Sequence, residues 1–417
     1  MSSTTTAAPS SSANGRRHRR IGGRSCLLAP VLVAVAAVAL AACGSATSSA
    51  ATSRASSIYR WGVVGNQGKI AKLELDKPAA VGGVAGKVVQ IATSNSDGYA
   101  LTSAGQVYGW GVNSYGELGD GRPTPYETRA VKVDFPAGVK ITSLANPMPF
   151  DGAIAIDSAG LAWGWGLDGA GDLCLPDLIY IRPRQIPLSD VSLATGARTH
   201  AMFDSDGTLY ACGSGDAGEL GNDSTASSPT PTKVTGLPRG EKITALTSSW
   251  EGSGALFADG AYYDWGYNAD GQLGDGGTTN SSVPVQVKLP SPVSRVFQGG
   301  SGPNNGQTIA ILEDGAVWAW GENDGGQLGT GTLTDAFTPL EVHVPSGVTF
   351  VKVSSGGYAT YAIDTTGRLW AWGDNGNGQL GIGSGHHTET LPTDVNIQLT
   401  QVSATAQNVA GFEAKSR

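Results

Sequence analysis

The 417 residues include 61 glycines, roughly twice the usual share, while charged residues make up 15%, well below the usual quarter or so. Glycine at that level, with Val, Ile, Tyr, Trp and Thr between, excludes a bundle of long surface helices and points to many short strands. A formal net charge of −8 argues against a general nucleic-acid binder, which would display an excess of Lys and Arg.

Residues 1–42 carry Arg16, Arg17, Arg19, Arg20 and Arg24 with no acid, followed by an apolar run from Cys26 to Ala42. That order predicts an export signal. It ends in Leu40, Ala41, Ala42 and Cys43, which resembles the lipobox of bacterial lipoproteins, where cleavage precedes a Cys whose thiol carries diacylglycerol. An uncleaved membrane anchor is the alternative, although 17 apolar residues, many of them Ala, are short for a span. Processing would take the net charge from −8 to −13. Lipid on Cys43, rather than electrostatics, is then expected to hold the protein at the outer face of a bacterial cytoplasmic membrane. Residues 43–57 read as the lipidated Cys and a flexible tether, because GSATSSAATSRASS has nothing to bury.

Residues 58–417 repeat. Trp-Gly recurs with its Trp at Trp61, Trp110, Trp165, Trp265, Trp320 and Trp372, and Cys212-Gly213 fills the gap, giving seven units of about 51 residues. A Gly lies five residues before the marker at Gly105, Gly160, Gly207, Gly260, Gly315 and Gly367, three of them in Asp-Gly, the signature of a hairpin. Six residues past the marker a second turn reads GELG, GDLC, GELG, then GQLG three times, from Gly116, Gly171, Gly218, Gly271, Gly326 and Gly378. Further on sits Pro78, Pro183, Pro231, Pro284, Pro339 or Pro392, and a residue without an N–H suits an outer edge strand. The strand Ile58 to Gly62 has no hairpin partner before it, while residues 399–414 have partner strands but no following Trp-Gly. The two ends are expected to complete one composite blade and close a ring.

Hairpin, xVYxWG strand, NxxGQLG loop and Pro-bearing edge together resemble the repeat of the regulator of chromosome condensation family, over about 360 of the 417 residues. The resemblance implies an all-β fold, a seven-bladed β-propeller. The first unit departs from it with GNQGKIA, and the third with GDLC followed by LPDLIYIRPRQIP.

Chemistry is sparse. His200 and His343 stand alone, His386-His387 reads as a solvated loop, and no carboxylate or Cys has ligand spacing beside them, so no metal or cofactor is expected. The GxGxxG of Gly164, Gly166 and Gly169 arises from the repeat and precedes no helix pattern. Cys174 and Cys212 take positions that hold Gly or Trp in other units; the sequence leaves open a bridge between them or two separate buried thiols.

Seven equivalent loops, between the first strand of each unit and the strand entering the hairpin, are expected around one end of the ring axis. They are read as a binding face made of Tyr99, Met148 and Phe150, Arg198 and His200, Trp250 with Glu251, Asn304 and Asn305, Tyr358, and Gln407 with Asn408. Scaffolded Trp, Tyr and Arg carry most of the energy of protein interfaces, whereas rings that plug the channel are the competing reading. Trp250 stands out for its small or polar neighbours Ser248, Ser249, Glu251 and Gly252. The expected function is a monomeric, non-enzymatic, membrane-anchored module that binds an extracytoplasmic protein or cell-wall polymer and no nucleic acid. The resemblance includes an exported bacterial branch that covers the active-site mouth of beta-lactamases, which implies a beta-lactamase or penicillin-binding protein as partner. The alternatives are guanine-nucleotide exchange, for which the family is known, and an enzyme with a dispersed site.

Overall fold

The computed structural model describes residues 57–64, 73–300, 306–383, 387–404 and 408–413, so the export signal, Cys43 and most of the tether lie outside the described residues. Within them, 28 strands form seven four-stranded antiparallel sheets, and no helix occurs. Blades are numbered here by their Trp-Gly marker. Blade 2 consists of Val88–Thr93, Asp97–Thr102, Val107–Asn113 and Thr124–Lys132 in sheet order. Blade 3 begins at Ile141, blade 4 at Val191, blade 5 at Ile243, blade 6 at Val293 and blade 7 at Phe350, each repeating that order. First strands face the axis, and those of blades 4, 5, 6, 7, 1 and 2 adjoin one another in turn.

Blade 1 is the composite one. Gln401–Ala404 and Asn408–Glu413 supply its inner strands, and Ser57–Val64 and Leu73–Val81 its outer ones. Ser57 pairs with Glu413 and Gly62 with Asn408, so the two ends of the repeat region are stitched in one ladder. The ring thereby loses its two open sheet edges.

Second strands are buried along nearly all of their length, as in Gly252–Phe257 and Gln307–Leu312, because a blade inside the ring has a neighbour on each face. This is why they read as unbroken runs of apolar and small residues instead of alternating. All six expected prolines lie in fourth strands, on the outer edge. The marker has its own geometry. Pairing with the outer strand skips the Trp, as between Asp264 and Gly266 or Ala319 and Gly321, and the following Gly turns to positive φ, 107° at Gly266 and 99° at Gly321. A Cβ at Gly266 would stand 2.3 Å from the Glu251 carbonyl oxygen, so no other residue fits. The bulge turns the indole into the seam with the preceding blade.

There it meets the last Gly of that blade's GxLG loop. A Cβ at Gly119, Gly221, Gly274, Gly329 or Gly381 would come within 2.6 to 3.1 Å of Trp165, Trp265, Trp320, Trp372 or Trp61 respectively. The Gly381–Trp61 contact is the closing seam. Three of these indoles also donate Nε1–H to the carbonyl of the residue two before that Gly: Trp265 to Glu219, Trp320 to Gln272, Trp372 to Gln327, at 2.8 to 2.9 Å. The loops are clamped by their Asn, whose Oδ1 accepts from the Leu of GxLG, as in Asn268 with Leu273 and Asn323 with Leu328. At the seam of blades 3 and 4 both positions are cysteine, and Cys174 and Cys212 form a disulfide with Cα atoms 5.6 Å apart. The bridge is thus the one present of the two states the sequence left open.

Candidate functional site at the axial mouth

The turns that follow the first strands converge on one end of the axis. They leave a recess of about 50 Å³, lined from every blade, among others by Asn95, Pro147, Gln298, Ser355 and Ala404. That volume is far below the few hundred Å³ of ordinary small-molecule pockets, so it suits the tip of a side chain.

Phe150 of blade 3, Arg198 of blade 4 and Trp250 of blade 5 meet at its rim. The Arg198 guanidinium carbon is 4.3 Å from the Phe150 ring centroid and 4.0 Å from that of Trp250, and the two rings stand edge to face at 5.6 Å. Arg198 is exposed and the rings half-buried. Clamping between two π-faces removes much of the rotamer freedom that a surface arginine would lose on binding. Among the described residues Arg198 forms no salt bridge. Two acids flank the cluster. Burial raises the carboxyl of Asp151, partly offset by the Arg198 charge, and burial together with Asp216 raises Glu251.

The other residues expected on this face fare differently. Tyr99 is 0% exposed, lies two residues inside its strand, donates its hydroxyl to the Glu117 carbonyl at 2.7 Å and packs edge-on against Trp165. It is a seam residue. Met148 is buried, its sulfur accepting the Ile154 N–H at 3.3 Å, and forms only the wall of the recess. His200 is also buried, its Nε2 2.7 Å from the Ser253 hydroxyl of the next blade, and burial lowers it to about 4. A Ser–His contact of that length would suit a nucleophile and its base, but Ser253 donates to the Glu219 carbonyl and both residues are sealed from solvent. It braces the seam of blades 4 and 5. Tyr358 is 38% exposed but does not line the recess. Asn304, Asn305 and Gln407 lie outside the described residues, and of Asn408 only the backbone is described. Sequence reasoning missed the small and polar recess residues, Gln298 and Ser355 among them, because nothing in their type separates them from other strand ends. No group of His, Cys, Asp and Glu among the described residues could hold a metal ion.

Comparison with known proteins extends the architecture. The family model for the regulator of chromosome condensation (RCC1) repeat matches residues 206–256, 259–302, 314–363 and 366–410, and a second model of that repeat matches 350–379. The chain is similar to the ultraviolet-B receptor UVR8 of Arabidopsis thaliana, 29% identical over 309 residues, which covers 71% of this chain and 67% of that one. It is 25% identical over 334 residues to the E3 ubiquitin-protein ligase HERC2 of Homo sapiens, covering 77% of this chain but 7% of the ligase. Among solved structures, Prp20p of Saccharomyces cerevisiae superposes with a TM-score of 0.71 at 20% identity, covering 87% of this chain and 92% of that one. Human WBSCR16 superposes at 0.74 with 19% identity, covering 87% and 100%. At these identities the structural likeness shows the shared fold.

Proposed function

We propose, for a chain that carries RCC1 repeats on a seven-bladed propeller, that it is a binding module whose axial mouth engages a protein partner. The observation that carries this reading is the Phe150–Arg198–Trp250 cluster, two rings and an exposed guanidinium held on three successive blades. Aromatic and Arg anchors on rigid loops are what protein interfaces concentrate their energy in. The small recess beneath favours a side chain entering from a larger partner over a free substrate. Binding of proteins is also what the structural relative offers, since Prp20p is described by its binding to Gsp1p and histones.

The place of action in this proposal is outside the cytoplasmic membrane, with the chain lipidated at Cys43, on the strength of the basic, apolar leader and its LAAC boundary. Cys43→Ala is expected to abolish lipid labelling and cleavage at that boundary; an unlipidated wild type with another N-terminus would overturn the anchor. An extracytoplasmic protein is then the partner class, a beta-lactamase or penicillin-binding protein being the specific form the family resemblance suggests.

The test is capture from membrane and wall extract with the full chain, wild type against Trp250→Ala. A stoichiometric partner held by the wild type and bound about 30-fold more weakly, roughly 2 kcal/mol, by the variant supports the mouth. Equal capture by both moves the binding face elsewhere. Retention of a small GTPase in its nucleotide-free state would favour an exchange role instead.

A further inference from the structure

Five of the blade seams are joined by a Gly against an indole, and the seam of blades 3 and 4 by Cys174 and Cys212 in the same two positions. Cys174 even keeps the left-handed backbone of the glycines it replaces, φ 55° against 59° at Gly221 and 63° at Gly274. A side chain in that conformation is strained, and it is found here where the chain gains a covalent bond. Both sulfur-bearing residues are buried.

The bond sits directly behind the mouth. On the blade 4 side, Gly213, next to Cys212, lies so close to Thr199 that a Cβ there would stand 2.1 Å from the Thr199 carbonyl oxygen. The same oxygen accepts the Ser214 N–H at 2.7 Å, and the Thr199 hydroxyl donates to the Trp250 carbonyl at 2.6 Å. Thr199 is the neighbour of Arg198. On the blade 3 side, Leu173, next to Cys174, packs over Gly152, and the Asp151 carbonyl accepts the Leu167 N–H at 2.9 Å. Asp151 is the neighbour of Phe150. The two loops also meet directly, the Gly196 N–H donating to the Pro147 carbonyl at 3.1 Å. Each half of the disulfide therefore backs one half of the Phe150–Arg198 contact.

We propose that the Cys174–Cys212 disulfide is a redox clasp on the axial mouth: closed, it holds Phe150 against Arg198 across the seam, and its reduction loosens that pair and the binding surface with it. A dithiol supplies the two electrons and two protons, closing to its own disulfide as both cysteines become thiols. Two thiols leave a seam with neither the covalent bond nor the indole that fills the five glycine–indole joins among the described residues. The inference rests on the mouth being the binding surface only for its functional consequence, since the loosening is read without any partner.

The experiment compares hydrogen exchange in the full chain, oxidised and after dithiothreitol, with the thiol count read by alkylation and mass. Reduction, and equally C174S/C212S, is expected to speed exchange in residues 145–151 and 197–199 about tenfold while leaving 357–358 unchanged. C174G/C212W rebuilds the glycine–indole join of the other seams; it should be protected and indifferent to dithiothreitol. A disulfide that stays closed under excess dithiothreitol in the folded protein overturns the proposal. So does unchanged exchange at both loops once it is open, or an equal rise at 357–358, which would make the bond a global support. Loss of partner capture in Trp250→Ala with none of these exchange effects would leave the mouth standing and sink the clasp alone.

Discussion

The seam of blades 5 and 6 and the seam of blades 3 and 4 join the same two backbone positions by different physics. In the first, Trp320 lies over Gly274 with its Nε1–H on the Gln272 carbonyl, and the attraction is spread over an aromatic side chain that buries roughly 200 Å². In the second, one covalent bond joins two side chains far smaller than an indole, within a buried cluster that includes Leu173 and Phe203. The positions therefore work as a pair across the seam. A lone Trp opposite Cys174 would press on its Cβ, and a lone Gly opposite Cys212 would leave a void.

The comparison can be broken at several strengths. Deleting residues 399–417 removes the two inner strands of blade 1 and strips Ser57–Val64 of its inner partner; it should abolish cooperative thermal unfolding, whereas deletion of residues 44–57 should leave it intact. Trp320→Ala should cost about 3–5 kcal/mol in denaturant unfolding through the cavity at an indole-filled seam. C174S/C212S should cost about 2–4 kcal/mol, since the bond closes a loop of 38 residues. If that loss equals the effect of reductant on the wild type, the bond and not the side-chain volume holds the seam.

The smallest expected effect is one of pH. Glu117 and Glu219 occupy the loop position that is Gln272, Gln327 and Gln379 in other blades, and each accepts the backbone N–H two residues earlier, as those glutamines do. Burial raises Glu219 to about 7 and Glu117 to about 6. Glu322, buried among Asp324, Asp270 and Asp335, is raised to about 8. A raised carboxyl means that the fold favours the neutral acid, so this stability is complete below the ordinary glutamate range and is lost as pH rises through the folded value. Melting temperature should fall as pH goes from about 5 to about 8, and Glu219→Gln should flatten part of that slope while preserving the Ala217 contact. An unchanged slope would mean that Glu219 is ionised in the fold.

The blades were legible because they rest on backbone constraints that only certain residues meet: positive φ at the marker Gly, a missing N–H on the outer strand, a half-blade at each end. The mouth was legible in part. Phe150, Arg198 and Trp250 fall in equivalent loops, and rotation alone brings such loops together. Tyr99 and His200 belong to the strands instead, three residues and one residue past the ends of their loops. The repeat itself held the correction, because Tyr99 aligns with Ile154, Met202, Ile309 and Tyr361, all buried. The disulfide was undecided for a different reason: Gly–Trp markers show their spacing along the chain, but not that the Gly of one unit faces the Trp of the next.

The composite blade also has a mechanical meaning. Ser57–Val64 is flanked by antiparallel partners on both sides, so tension arriving through the residues before Ser57 pulls along the strand and loads two ladders of hydrogen bonds in shear. Bonds loaded side by side must yield together, whereas bonds at a zipper's end yield singly. Under steady drag the rate of that collective rupture, and not equilibrium stability, sets how long the ring survives.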